Sequence, residues 1–406
     1  MTDRNEARSE QGQSFPLAEM MRNYFRVAMR EALYEVAEEE LTRLCGPLHH
    51  PDPQSPYRRA GSAASTVFFE GRRERLKRPR VRRCEDGQEV EVKLQSWQAA
   101  QDPGQWEEAT MRAILCGVST RQMGRLSGPQ ARAMSKSAVS RLWQQKAAEL
   151  VEQMQQSDLS GFDLLVLMID AVVLGKGVVA TVALGIDTAG QKQILGYRVG
   201  GSENREVCAD LLSNLSARGL TKPSGRRLLA VLDGSEALRS ALLSHYPEAQ
   251  VQRCLVHKQR NLQGYLSKRH WGELNRLFSR LRKAQGGQQA EEVAAEIRAF
   301  LRDKNAQARE SFEEAGEDLL RLFHLDVPNT LHRSLLSTNC IENVFKNLRR
   351  HLGRVCRWRE HTEQADRWMA SGLKLAQEGF RRIVGCAELP LLIKALEKPQ
   401  KKSVAA

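Results

Sequence analysis

Leu164-Leu165-Val166-Leu167-Met168-Ile169-Asp170 is a wholly apolar run that closes on a carboxylate. Its length, its branched residues and the Gly175 beyond it describe a strand buried on both faces, because a half-exposed strand would alternate polar and apolar positions. An acid at the end of such a strand is held rigidly at the rim of a crevice, where open α/β sheets keep their chemistry. The pattern recurs in Leu228-Leu229-Ala230-Val231-Leu232-Asp233-Gly234, with a glycine freeing the backbone just after the acid. Two buried strands and two terminal aspartates therefore commit the chain to a sheet with an acidic edge.

The charge balance narrows the partner. The 406 residues carry 62 Lys and Arg against 49 Asp and Glu, a formal net charge of +13. A chain of this length is expected to hold two or three domains. Its excess of guanidinium suits a polyanion, nucleic acid before a membrane surface, although a basic but ordinary enzyme has the same balance. No apolar run approaches the roughly 18 residues of a membrane span, and Met1–Glu6 lacks a signal-peptide core. A cytoplasmic, nucleoid-associated protein without membrane contact is expected. Eight scattered cysteines with no Cys-x-x-Cys argue against a disulfide framework or zinc ribbon.

In chain order, residues 1–16 are polar and expected to be disordered. Apolar residues then recur at helical spacing from Leu17 to Leu44, stopped at Gly46, and the Pro- and Gly-bearing residues 46–66 read as a linker. Residues 67–100 form a basic, β-hairpin-like module. Its first strand carries Arg72, Arg73, Arg75, Lys77, Arg78, Arg80, Arg82 and Arg83, and its second is the alternating Val90–Leu94. So dense a run repels itself unless an anion neutralises it, which points to DNA phosphate, whereas a solvated charged loop would read the same way. Residues 101–158 have the layout of a helix-turn-helix. A first helix ends at Gly117, Ser119–Gln122 has capping-box spacing, and a third helix presents Lys136, Ser137, Ser140 and Arg141 on its first turns.

From residue 159 the organisation becomes α/β. Three strands joined by short turns are followed by a helix, the Asp233 strand, a helix from Ser235 to Tyr246 and a strand at Ala249–Arg253. This βββαβαβ order is that of a ribonuclease-H-like fold, which brings Asp170 and Asp233 together although they are 63 positions apart. The catalytic domain is expected to comprise 159–257 and 337–353, interrupted by an all-helical insertion at 258–336 with a thin linker at Gly286-Gly287. In the returning segment Thr338 or Asn339 caps a helix bearing Glu342 on its first turn and Lys346, Arg349 and Arg350 further along. Basic helices fill 354–406, the first from Glu360 to Arg382. The fold class is thus α/β, a mixed sheet with a helical insertion, preceded by helical and helix-turn-helix modules.

Two strand-end aspartates and a helix glutamate make a hard, all-oxygen site suited to Mg²⁺ or Mn²⁺. Such a cluster is tolerable mainly when cations neutralise it, and a pair of ions can drive phosphodiester displacement. A lone strand-end Asp is ordinarily a turn or helix cap, and Asp187 and Asp163 read that way. Cys254 and His257, at i and i+3, make only half of a zinc site. Trp271 could stack on an unpaired base or belong to a core.

Residues from about 105 to 395 resemble the Mutator-type transposases of bacterial insertion sequences. The resemblance is carried by Leu167-Met168-Ile169-Asp170, Val231-Leu232-Asp233-Gly234-Ser235, the block Val251–Leu262 with Cys254 and His257, and Ser337-Thr338-Asn339-Cys340-Ile341-Glu342-Asn343. It implies a DDE-type domain in which Asp170, Asp233 and Glu342 bind two metal ions, with Cys254 and His257 beside them. Cys340 departs from the small alanine usual there and is not expected to ligate. The implied activity is binding of terminal inverted repeats, hydrolysis to a 3′-hydroxyl and transfer of that end to target DNA. The implied partner is double-stranded DNA, at the transposon ends and the target, handled by a homodimer or larger assembly. A silent DNA-binding regulator and a nuclease without strand transfer are the competing readings.

Overall fold

The computed structural model describes residues 16–69, 72–85, 88–102, 104–120, 122, 136–202, 204–221, 223, 225–353, 355, 357–359 and 362–397. The chain divides into two compact units, residues 1–143 and 144–406.

In the first unit, helix α1 (Pro16–Cys45) precedes three antiparallel strands, β1 (Tyr57–Phe69), β2 (Arg72–Glu85) and β3 (Gln88–Val92), in the order β1-β2-β3. Leu33, Ala37, Leu41 and Cys45, four residues apart, line one face of α1 and pack with Val67, Phe69, Val81 and Trp97. The opposite face leaves Met21, Tyr24, Phe25 and Val36 exposed.

The linker expected at 46–66 is a correction: from Tyr57 onward it is strand β1. Gly61, Ser62 and Ala63 suggested a flexible connection, but Gly61 (φ +73°) lies at a bulge between Arg59 and Ser62 that lets the strand continue. The arginine-rich hairpin is a true β2–β3 pair, yet it carries its own counterions. Arg78 and Arg80 pair with Glu91 at 2.5 and 2.7 Å, and Arg82 with Glu89 at 2.5 Å. Self-repulsion in this run is relieved from within the sheet.

The region expected to form a helix-turn-helix is described only in part. Its first helix spans Gly104–Leu115 and stops at Gly117 (φ +99°). Ser119 and Gln122 form the reciprocal capping box, Gln122 N–H donating to Ser119 Oγ at 3.2 Å and Ser119 N–H to Gln122 Oε1 at 3.1 Å. The middle helix and the Ser135 cap lie outside the described residues, as does the expected disorder of 1–15. The third helix is Lys136–Gln156, along which the unit boundary falls.

The second unit is a mixed five-stranded sheet between two helical layers. Strands β4 (Leu164–Gly175), β5 (Val178–Asp187), β6 (Lys192–Gly200), β7 (Leu229–Leu232) and β8 (Gln250–Arg253) are ordered β6-β5-β4-β7-β8. β4 is central, antiparallel to β5 and parallel to β7. Leu167, Ile169, Ala230 and Leu232 face the helices Arg205–Ala217 and Glu236–His245. Val166, Met168, Leu229 and Val231 face a layer running from the helix Leu255–Tyr265 to Leu389–Leu396. The helices between Leu255 and Leu336 share this one core with the sheet, and each fully buried Leu or Ile in it contributes about 1.5–3 kcal/mol.

Several boundaries differ from the sequence reading. Asn204 caps the helix after β6, its side chain accepting Val207 N–H at 2.9 Å. Gly286 opens the helix Gly286–Arg302 instead of forming a linker. The helix predicted to reach Arg382 stops at Glu378, before Gly379. Asp170 is not a strand end: β4 continues to Gly175, with Asp170 opposite Val182. Pairing with β7 does end just before it, at Ile169 and Leu232.

Candidate active site

Strand alternation decides which way the acids face. Asp170 follows Val166 and Met168 and so falls on the face covered by the helix Asn339–Leu352, whereas Asp233 stands just past the last residue of β7. Ile169 pairs with Leu232, so each aspartate directly follows a member of the last pair between these parallel strands. Asp170 is only 7% exposed, and its Oδ1 accepts the Ala171 N–H at 2.8 Å. Asp233 Oδ1 accepts the Ser235 N–H at 2.9 Å. Between them Gly234 (φ +113°) is required twice, by its backbone and because a Cβ there would strike the Arg253 guanidinium.

Glu342 arrives from a remote segment. Ile341, Val344, Phe345, Leu348 and Leu352 bury one stripe of its helix, leaving Glu342 on the flank. Its Oε1 lies 3.7 Å from His257 Nε2 and 3.9 Å from Arg260 Nη1. Thr338 caps this helix through its backbone, the Glu342 N–H donating to Thr338 O at 2.9 Å. The fully buried Thr338 hydroxyl stands 3.3 Å from His257 Nδ1 and 3.5 Å from Glu342 Oε1.

Cys254 and His257 complete this junction. The Cys254 thiol caps the helix Leu255–Tyr265, accepting the His257 N–H at 3.5 Å and the Thr338 N–H at 3.4 Å. Burial pushes the thiol up, but hydrogen bonds from His257 and Thr338 outweigh it and its pKa is lowered. His257 is pushed up to about 9, first by its interaction with Cys254, against burial, and then by the nearby Asp170 and Glu342 carboxylates. These neighbours favour its protonated form.

A cavity of about 710 Å³ opens on this face, lined by Asp170, His257 and Glu342 together with Asn339, Cys340 and Asn343. Lys346 and Arg349 also line it, whereas Arg350 is exposed outside its wall, and Asp233 is not part of the lining. Four further cations enter from elsewhere: Lys192, Arg260, Arg333 and Arg382. Sequence reading named none of them as a site residue: Arg260 sits within the quoted Val251–Leu262 block, and the other three come from segments with no shared motif. Cys340 Sγ donates to Ser334 O at 3.7 Å, and burial pushes its thiol up.

The donor set is three carboxylates, hard oxygen ligands that suit Mg²⁺ or Mn²⁺. Among the described residues, however, no three His, Cys, Asp or Glu side chains stand close enough to hold an ion as they are. The Cys254–His257 pair accordingly gathers no zinc site.

The other expected contact residues are spread out. Lys136, Ser137 and Arg141 are exposed and Ser140 is half-buried. Arg73, Arg75 and Lys77 alternate along an exposed face of β2, and Arg73 and Arg83 lie over the Phe68 and Tyr57 rings. Trp271 is anchored by its indole N–H, which donates to Gln263 O and Leu266 O at 3.1 and 3.2 Å, and its ring packs on the core. That makes it a structural clamp, not a free stacking platform. No helix among the described residues is long and apolar enough to cross a membrane.

Residues 1–370 match the family described as "Transposase, Mutator family". The chain belongs to that family. It is similar to the transposase for insertion sequence element IS905 of Lactococcus lactis, 28% identical over 254 residues, 60% of this chain and 62% of that protein. The transposase for ISRM5 of Rhizobium meliloti is 32% identical over 182 residues, 44% and 43% of the two chains. That for IS1081 of Mycobacterium tuberculosis is 30% identical over 247 residues, 58% and 57%. These matches span about half the length of each relative. In this Mutator-family chain the carboxylate face and its cationic cavity are the features to which an activity attaches.

Proposed function

We propose that this Mutator-family chain is a DNA transposase that binds the terminal inverted repeats of its insertion sequence, hydrolyses the phosphodiester at each end and transfers the freed 3′-hydroxyl to target DNA. The observation that supports the reading is that Asp170 and Glu342, from remote segments, line one cation-rich cavity, with Asp233 following the strand that runs parallel to that of Asp170. The β6-β5-β4-β7-β8 order, with a helical block between the second and third acids, is the arrangement expected of a ribonuclease-H-like catalytic domain, and we read it as one.

Asp170, Asp233 and Glu342 are the residues that would hold two Mg²⁺ or Mn²⁺ ions. When bound, these activate the attacking oxygen and stabilise the leaving one. The chain's own groups prepare the site. Thr338 sets Glu342 and His257 against each other, and the His257 imidazolium with Arg260 offsets carboxylate and phosphate charge. Lys346 and Arg349 hold the DNA backbone. Helices Gly104–Leu115 and Lys136–Gln156 belong to a helix-turn-helix that reads the repeat, and β2 adds phosphate contacts. Two ends must be handled together, so the working form is a homodimer or larger assembly.

Incubating the protein with Mg²⁺, a labelled duplex bearing the element's end and a target plasmid tests this. The reading requires nicked 3′-hydroxyl ends and joined products. Binding without cleavage identifies a silent regulator, and cleavage without joining identifies a nuclease.

A further inference from the structure

We infer that Lys192, Arg333 and Arg382 form a phosphate-binding wall facing the acids, which grips the DNA backbone next to the reacting phosphodiester. This rests on the reading above and names a contact beyond the sequence motifs. Three segments converge to build the wall. Lys192 opens β6, Arg333 sits on the helix Asn329–Leu335, and Arg382 lies in the loop after the helix Gln364–Glu378. Ile383 N–H donates to Gly190 O at 3.0 Å, and the Ser334 hydroxyl donates to Val384 O at 3.1 Å. These bonds fix the loop against both neighbours, so the three cations are positioned by the fold.

Their lack of counterions is what marks the wall. On β2 the arginines Arg78, Arg80 and Arg82 are neutralised by Glu91 and Glu89. In the cavity, no carboxylate among the described residues lies within ion-pairing distance of Lys192, Arg333 or Arg382; Lys192 instead rests over the Phe380 ring, 5.2 Å from its centroid. Unneutralised cations converging on one cavity repel one another, and phosphate relieves that repulsion while releasing condensed counterions. Three arginines of the densest basic stretch are thus neutralised within the sheet, whereas the three scattered cavity cations are open to an anion. The shared ligand chemistry is the phosphodiester backbone, from either the element's end or the target.

The test compares the wild-type chain with the triple variant Lys192→Ala, Arg333→Ala, Arg382→Ala over a salt series. One arm uses a duplex bearing the terminal repeat, the other a random-sequence duplex. Three lost contacts should lower the slope of log K against log salt by about 2.7. Between about 50 and 200 mM salt, the variant's affinity should then fall about 40-fold less than the wild type's. A reduced slope on the terminal-repeat duplex alone assigns the wall to the end, and on both duplexes to the backbone generally, including the target. Unchanged slopes on both, with the wild type binding normally, overturn the wall while leaving the proposed function standing. A wild type that binds neither duplex overturns both. Matched thermal unfolding of the two proteins confirms that the variant folds, and a charge-preserving Lys192→Arg, Arg333→Lys, Arg382→Lys variant should recover the slope.

Discussion

The Thr338 N–H donates to the Cys254 thiol at 3.4 Å across 84 positions of sequence. One bond thereby joins the cap of the Glu342 helix to the cap of the His257 helix. The Cys-x-x-His block is better explained by this junction than by zinc: the cysteine fixes two helix starts, and the histidine leans on the glutamate.

Cys254→Ala should therefore destabilise the second unit by about 1–3 kcal/mol, because it leaves the buried Thr338 N–H without an acceptor. Denaturant midpoints measure this. Thr338→Val should lose activity more than stability, since the methyl keeps the volume while the hydroxyl that faces His257 and Glu342 is gone. Thr338→Ser should recover much of it.

Acid should weaken the fold through His332. This ring is buried against Phe323, with centroids 4.9 Å apart, and burial holds its pKa below the ordinary value. The unfolded chain takes up a proton first, so stability falls as the pH drops below about 6.5, by up to roughly 1.4 kcal/mol per pH unit. His332→Leu should flatten that part of a stability-against-pH curve; an unchanged curve would assign the acid sensitivity elsewhere.

On β2, charges should count unequally. Neutralising Arg75 and Lys77, which are exposed, should lower the salt slope of DNA binding by about 0.9 each. Neutralising Arg78, Arg80 and Arg82 should lower it less, for hydrogen bonds from Arg80 and then Arg78 already hold the Glu91 carboxyl down to about 2. Equal effects would mean that DNA displaces those carboxylates.

Much of the second unit was legible because its signals are local. The apolar runs ending at Asp170 and Asp233 and the helix from Ser235 each state their structure within a few residues. The passage of β4 beyond Asp170 had a weaker signal, the branched apolar Val172-Val173 that continues the run, of which the fold buries the first and exposes the second. β1 was hidden because its small residues resemble a linker until β2 pairs with them. The cavity cations were not legible at all: Lys192, Arg333 and Arg382 gain meaning only when the Gly190 turn, the Ser334 helix and the Ile383 loop meet.

Cleavage rates of Asp170→Asn, Asp233→Asn and Glu342→Gln with Mg²⁺ and a labelled element end, beside each double variant, test the central claim most directly. Acids acting as one unit predict that each single change costs at least about 10³-fold, that the doubles cost little more, and that DNA binding persists. Near-wild-type cleavage by any one of the single variants would contradict the account.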